Sequence, residues 1–143
     1  MQFLLLVACM TASAVAGAQT APYRIVDDGI PVALTATAGD AMRGREIATS
    51  RQAGMCVLCH QVPSAADRFQ GDIATTLAGA GARWTVPQLR LRIVDSRTVR
   101  RDSVMPAYHR VQGLTRVGAN WRDKPILDAQ QVEDVVAWLA TLR

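Results

Sequence analysis

Two cysteines and a histidine stand at a spacing that does chemistry, in Cys56-Val57-Leu58-Cys59-His60. Two thiols this close fit on one turn of backbone. There they can form thioether bonds to two vinyl groups on one edge of a porphyrin, and the adjacent imidazole falls beneath the iron as an axial ligand. The pentapeptide therefore predicts one covalently attached haem c, held by Cys56 and Cys59, with His60 as the proximal iron ligand. Other chemistries use the same residue types. A structural zinc site needs four ligands, and beyond the pentapeptide the only further cysteine and histidine are Cys9 and His109. A thioredoxin-like dithiol opens a helix within a strand-helix-strand pattern, whereas here a helical stretch precedes the motif and no strong strand does. A plain disulfide is the remaining alternative.

The second axial position needs a side chain downstream that can fold over the other haem face. Met105, His109 and, less suitably, Tyr108 are the candidates. Met105-Pro106 follows the polar stretch 96–103, so the methionine sits on a loop that Pro106 stiffens. Histidine/methionine ligation is the common arrangement for electron transfer, which favours Met105. His109 is then an exposed loop histidine, able to tune pH dependence near neutrality. A neutral thioether ligand favours ferrous iron and hence a relatively high potential. Arg83, Arg90 and Arg92 are either solvated or within reach of the haem carboxylates, and Trp84 is either core or a hydrogen-bond donor to one of them.

Helices must position these groups. Asp40 is an N-cap for a helix over Ala41 to Gln52, with Met42 and Ile47 turned inward and Gly54 as the stop. Gly44 inside it costs roughly 1 kcal/mol relative to alanine, which predicts close approach of another helix. The strongest periodicity is at the other end, where Asp128 caps and Gln131 completes a capping box. Val132, Val135, Val136, Leu139 and Leu142 follow at helical spacing with Trp138 on the flank, and this helix is expected to cross the first. Between them, Trp84 to Asp95 reads as a helix with Pro87 in its first turn. Val57 and Leu58 are expected to be buried.

The chain has 143 residues, half of them apolar and only 5% aromatic, so a porphyrin would supply apolar bulk that a lean core lacks. The formal charge is +4, with Lys and Arg spread rather than clustered. That pattern fits a solvated surface or docking to an acidic protein, not a nucleic-acid face. An apolar run from Phe3 fades into small residues and ends at Ala16-Gly17-Ala18, as a secretory signal does, although no Lys or Arg precedes it. It is shorter than the ~20 residues of a membrane span. Leu6-Val7-Ala8-Cys9 offers lipoprotein processing as the alternative. Residues 19–38 carry Pro22, Gly29 and Pro31 among β-branched residues and read as an extended arm, loose or lying along a partner.

Asp40-x-x-x-Gly44, the haem motif, Met105-Pro106-Ala107-Tyr108 and the C-terminal run from Gln131 to Leu139 together resemble class I cytochromes c. More narrowly, Arg92-Ile93-Val94-Asp95, Val104 to Tyr108, Gly113 to Val117 and Lys124-Pro125-Ile126-Leu127 resemble the SoxX family, monohaem subunits of the SoxAX complex of bacterial sulfur oxidation. The resemblance implies an all-α class I cytochrome c fold, with crossed N- and C-terminal helices around a covalent haem. With the leader and the arm read above, the chain divides into a signal peptide (1–18), an extended N-terminal arm (19–38) and a cytochrome c domain (39–143). The resemblance further implies a periplasmic electron-transfer subunit, with Met105 opposite His60, paired with SoxA. The complex is an L-cysteine S-thiosulfotransferase that joins thiosulfate oxidatively to the SoxYZ carrier cysteine. On that analogy the sulfur chemistry belongs to SoxA, and this chain passes electrons to a downstream cytochrome. Relatives commonly carry Gly-Pro after the motif, where the proline carbonyl accepts the proximal imidazole N–H. Here Ala74-Thr75 stands instead, and the Thr75 carbonyl can serve. The rival classes are a diffusible cytochrome c donating to a terminal oxidase, a haem sensor or peroxidase with an open sixth site, and a non-haem thiol or metal protein.

Overall fold

Two glycines let the first and last helices of the described residues meet. In a computed structural model that describes residues 20–63 and 68–143, the described residues form four α-helices: α1 (Ala41–Thr49), α2 (Ala80–Arg83), α3 (Val86–Val99) and α4 (Ala129–Thr141), with short 3-10 turns at Cys56–Leu58 and Ala119–Trp121. The leader and Cys9 lie outside the described residues. A Cβ at Gly44 would fall on the Asp134 carbonyl oxygen, and one at Gly39 on that of Glu133, so backbone meets backbone where α1 crosses α4. Gly81 of α2 meets the Ala140 carbonyl in the same way, and its N–H donates to the Leu142 oxygen at 2.8 Å. The pattern is all-α, as the capping signals imply.

Both expected caps form. Asp40 accepts from the N–H groups of Met42 (2.8 Å) and Arg43 (3.1 Å), and Asp128 and Gln131 make a reciprocal capping box on α4. The inward faces differ from expectation in part. In α1 it is Gly44 and Ala48 that are buried, while Met42 is 77% exposed, because the close crossing leaves room only for small side chains. α1 also ends at Thr49, before Gly54, and the Gly54 N–H returns to the Ile47 carbonyl at 3.0 Å. In α4 Trp138 is buried with Val132, Val135, Val136 and Leu139 rather than flanking them.

Two consecutive carboxylates of α4 tie the molecule together. Asp134 accepts both nitrogens of the Arg43 fork (2.9 and 3.0 Å), the Asp40 N–H (2.8 Å) and the Gln130 amide (3.0 Å). Burial acts to raise its pKa, but these donors outweigh it and hold the group below the ordinary carboxylate value of 3.8. A depressed carboxyl pKa contributes stability that is complete above the unfolded value and is lost as pH falls through the folded one. Asp134→Asn is accordingly expected to lower the melting temperature near neutral pH and to flatten its fall below pH 3.8. A pH series of thermal melts on both proteins reads this.

Glu133 is committed to the interior. It pairs with Arg90 through two bonds of 2.7 and 2.9 Å, with both side chains about 5% exposed. The segment 20–38 docks on this pair: the Leu34 N–H donates to Glu133 at 2.9 Å, and Arg90 donates to the Ile30 carbonyl at 2.6 Å. Ile30 itself is fully buried, and Val26 and Gly29 close a single antiparallel bridge. Breaking a buried pair strands the survivor's charge, at a cost of about 3–5 kcal/mol. Glu133→Ala should therefore melt far below wild type, whereas Arg90→Met with Glu133→Leu should recover most of the loss.

Candidate functional site

The pentapeptide sits in a tight turn. Met55, with φ of 58°, turns the chain into the 3-10 helix Cys56–Leu58, and the N–H groups of Cys59 (3.2 Å) and His60 (2.9 Å) both return to the Cys56 carbonyl. The two thiols thus belong to one turn, and both are free. Burial pushes the Cys56 thiol up to about 11, against the lowering effect of Tyr108. Of the two intervening residues, Val57 is fully buried but Leu58 is 42% exposed, so the expected burial holds for one only.

Residues 71–77 run back along the motif. The N–H groups of Gly71, Ala74 and Leu77 donate to the carbonyls of Val57 (2.8 Å), Cys59 (2.9 Å) and Gln61 (2.8 Å). A side chain at Gly71 would strike the Leu58 carbonyl oxygen, which is why glycine stands there. This path carries the Thr75 carbonyl to His60, whose Nδ1–H donates to it at 2.6 Å. The Ala-Thr sequence therefore supplies the acceptor that a Gly-Pro would. With the proton fixed on Nδ1, Nε2 carries the lone pair that a metal would use.

His60 and Met105 line one cavity of about 520 Å³, within the range of cofactor sites. Leu77, Leu89, Ile93 and Leu139 contribute apolar wall. Met105 also borders a second cavity of about 470 Å³, walled by Pro106, Leu114, Val117 and Trp121. The first is the one that brings imidazole and thioether together. A flat apolar body carrying a metal with two axial vacancies fits this donor set, in which a neutral nitrogen and a neutral sulfur line one apolar cavity and two thiols lie on the adjacent turn. Among the described residues no three His, Cys, Asp or Glu side chains converge as metal ligands.

The neighbours of Met105 are committed elsewhere. His109, expected on an exposed loop, is fully buried: its Nδ1–H donates to the Leu127 carbonyl at 2.9 Å, and Nε2 accepts the Ala21 N–H at 3.0 Å. With both nitrogens occupied by backbone, it fastens the arm instead of facing the cavity. The Tyr108 hydroxyl donates to the Gly54 carbonyl at 2.6 Å, tying the Met105 loop to the entry of the haem motif, and burial raises its pKa. Of the three arginines considered for the haem carboxylates, Arg90 is held by Glu133, and Arg83 bonds the Ala78 and Thr76 carbonyls. Arg92 alone of them lines the cavity, where burial lowers its pKa. Trp84 also lines it, with Arg92 and Arg83 stacked on its ring at 4.6 and 4.9 Å.

Residues 41–143 match the family model described as Cytochrome c. The chain is also similar to a solved structure described as SoxXA from P. pantotrophus, with 39% sequence identity and a TM-score of 0.77 over 84% of this chain and 93% of that one. No curated protein matched. No helix among the described residues is long and apolar enough to cross a membrane. A haem-attachment pentapeptide on one turn, an imidazole and a thioether on one cavity, and a family match over the whole helical body converge: the chain belongs to the cytochrome c family and is a SoxX-like electron-transfer cytochrome with a single covalent haem c.

Proposed function

We propose that this chain is the electron-accepting subunit of a SoxAX-type complex. Cys56 and Cys59 would hold the haem by thioether bonds, and His60 and Met105 would supply a nitrogen and a sulfur ligand to its iron. The haem supplies a one-electron redox centre; the chain's own residues bind, orient and shield it. The Thr75 carbonyl fixes the His60 tautomer and makes Nε2 a stronger donor. Leu77, Leu89, Ile93 and Leu139 give the cavity an apolar wall that would pack against the porphyrin, and Arg92 and Trp84 on its lining would meet the porphyrin carboxylates.

The partner is a SoxA-type subunit in a periplasmic heterodimer, reached after export by the N-terminal signal peptide. The complex oxidatively joins thiosulfate to the SoxYZ carrier cysteine, an L-cysteine S-thiosulfotransferase reaction that releases two electrons. The sulfur chemistry is assigned to SoxA, and this chain relays electrons to a downstream cytochrome. The observation that carries this reading is the 39% identity to a SoxXA chain over nearly its whole length, combined with His60 and Met105 on one cavity. The test is periplasmic co-expression with SoxA. A stable heterodimer whose haem on this chain is reduced when SoxYZ and thiosulfate are both added supports the assignment. A haem-bearing monomer that ignores SoxA moves the function to the diffusible carrier donating to a terminal oxidase.

A further inference from the structure

Helix α3 is broken at the point where the methionine loop docks. Asp95 has φ of −157° and ψ of 91°, non-helical angles inside an otherwise helical run. An intact helix would direct the carbonyls of Ile93 and Val94 at the N–H groups of Arg97 and Thr98. Here the Arg97 N–H donates to Asp95 Oδ1 at 3.2 Å and the Thr98 hydroxyl to Oδ2 at 3.0 Å, so Asp95 caps the last turn of its own helix. The two carbonyls instead receive the loop: Tyr108 N–H donates to Ile93 at 3.2 Å, and the His109 and Arg110 N–H groups share Val94 at 3.3 Å each. Arg110 closes the arrangement with an ion pair to Asp95 at 2.6 Å, and Asp95 is 6% exposed.

The turn that Asp95 caps reaches Met105 directly. The Ser96 hydroxyl donates to the Met105 carbonyl at 2.7 Å, the Arg97 side chain donates to the Ser103 carbonyl at 3.3 Å, and the Ser103 hydroxyl accepts the Met105 N–H at 3.2 Å. The Met105 loop is thus held by Ser96 and Arg97 of the turn after the break and, beyond Tyr108, by the two carbonyls that the break frees. We propose that Asp95 is a positioning residue for the distal ligand: by breaking α3 it creates the dock that holds the Met105 thioether at the iron. The inference rests on the assignment of Met105 as axial ligand.

A thioether is a weak ligand, so the hold of its loop decides how easily another ligand displaces it. The experiment is a titration of the ferric holoprotein with imidazole, following the charge-transfer band of iron bonded to a thioether. Releasing the loop lowers the population of the methionine-bound state, and apparent affinity for the competitor rises in proportion. Asp95→Ala is expected to bind imidazole at least about tenfold more tightly than wild type. Asp95→Asn, which keeps an oxygen for the Arg97 N–H, should lie between the two, and Ser96→Ala should shift the same way. Ser96→Ala decides if Asp95→Ala does not fold. Wild-type imidazole affinity in Asp95→Ala and Ser96→Ala, with only the melting temperature lowered, overturns the inference and leaves Asp95 a purely structural cap. A wild-type protein without the thioether band, or a Met105→Ala protein that binds imidazole no more tightly than wild type, overturns the ligand assignment instead.

Discussion

A chain carrying Cys56→Ser and Cys59→Ser is expected to accumulate without covalent haem and without a stable fold. The 520 Å³ between His60 and Met105 opens to solvent, so leaving it empty wets its apolar walls and removes the contacts that fill them. The whole stability of a small domain is about 5–15 kcal/mol. Three helices contribute wall to this volume, through Ala80 of α2, Ile93 of α3 and Leu139 of α4, so its loss loosens the helical body and not one loop. Far-UV circular dichroism and mass spectrometry of the periplasmic product read the two halves of the prediction. A haem-free chain with a sharp cooperative melt at the wild-type temperature would show that the helices do not need the cofactor.

The second large effect is at the helix crossing. Gly44→Ala adds one methyl group, which in an ordinary core position would cost about 1–3 kcal/mol by overpacking. Here the obstacle is the Asp134 carbonyl and the Val135 nitrogen, backbone atoms of α4 that cannot rotate away. α1 has to move off α4, and with it goes the Arg43–Asp134 fork. The expected loss is at least about 3 kcal/mol, or roughly 10 °C in melting temperature for a domain of this size. Gly113→Ala is a useful contrast: its φ of 68° strains alanine, but no backbone atom stands in the way, and a smaller loss is expected.

Which parts of this were legible in the residues follows from the range of the interactions. The Asp40 cap and the Asp128–Gln131 box are both local, with partners within four residues, and each could be read from spacing alone. Gly44 was legible because a glycine inside a helix needs a reason. The burial of His109 was not, since its partners are the backbone of Ala21 and Leu127, and a carbonyl leaves no mark in a sequence. The helix read over Trp84 to Asp95 stops where the break falls, because the apolar spacing of Leu89, Leu91, Ile93 and Val94 ends there; the further helical turn to Val99 was hidden, since what sets it apart is a loop that docks from outside. Arg90 looked like any surface arginine until its Glu133 partner on α4 was in place. Met42 failed in the opposite direction, because apolar type outweighed the lack of room at a glycine-mediated crossing. For the site itself, residue types and order along the chain pointed to His60 and Met105, while their meeting on one cavity needed the fold.

The most direct test of the account is the optical spectrum of the ferric holoprotein beside that of Met105→Ala. Histidine/methionine ligation predicts a near-red thioether-to-iron band in wild type that disappears in the variant, with the covalent haem retained and the reduction potential lowered. A wild-type spectrum without that band, or a variant that keeps it, would contradict histidine/methionine ligation and favour the open-site haem protein.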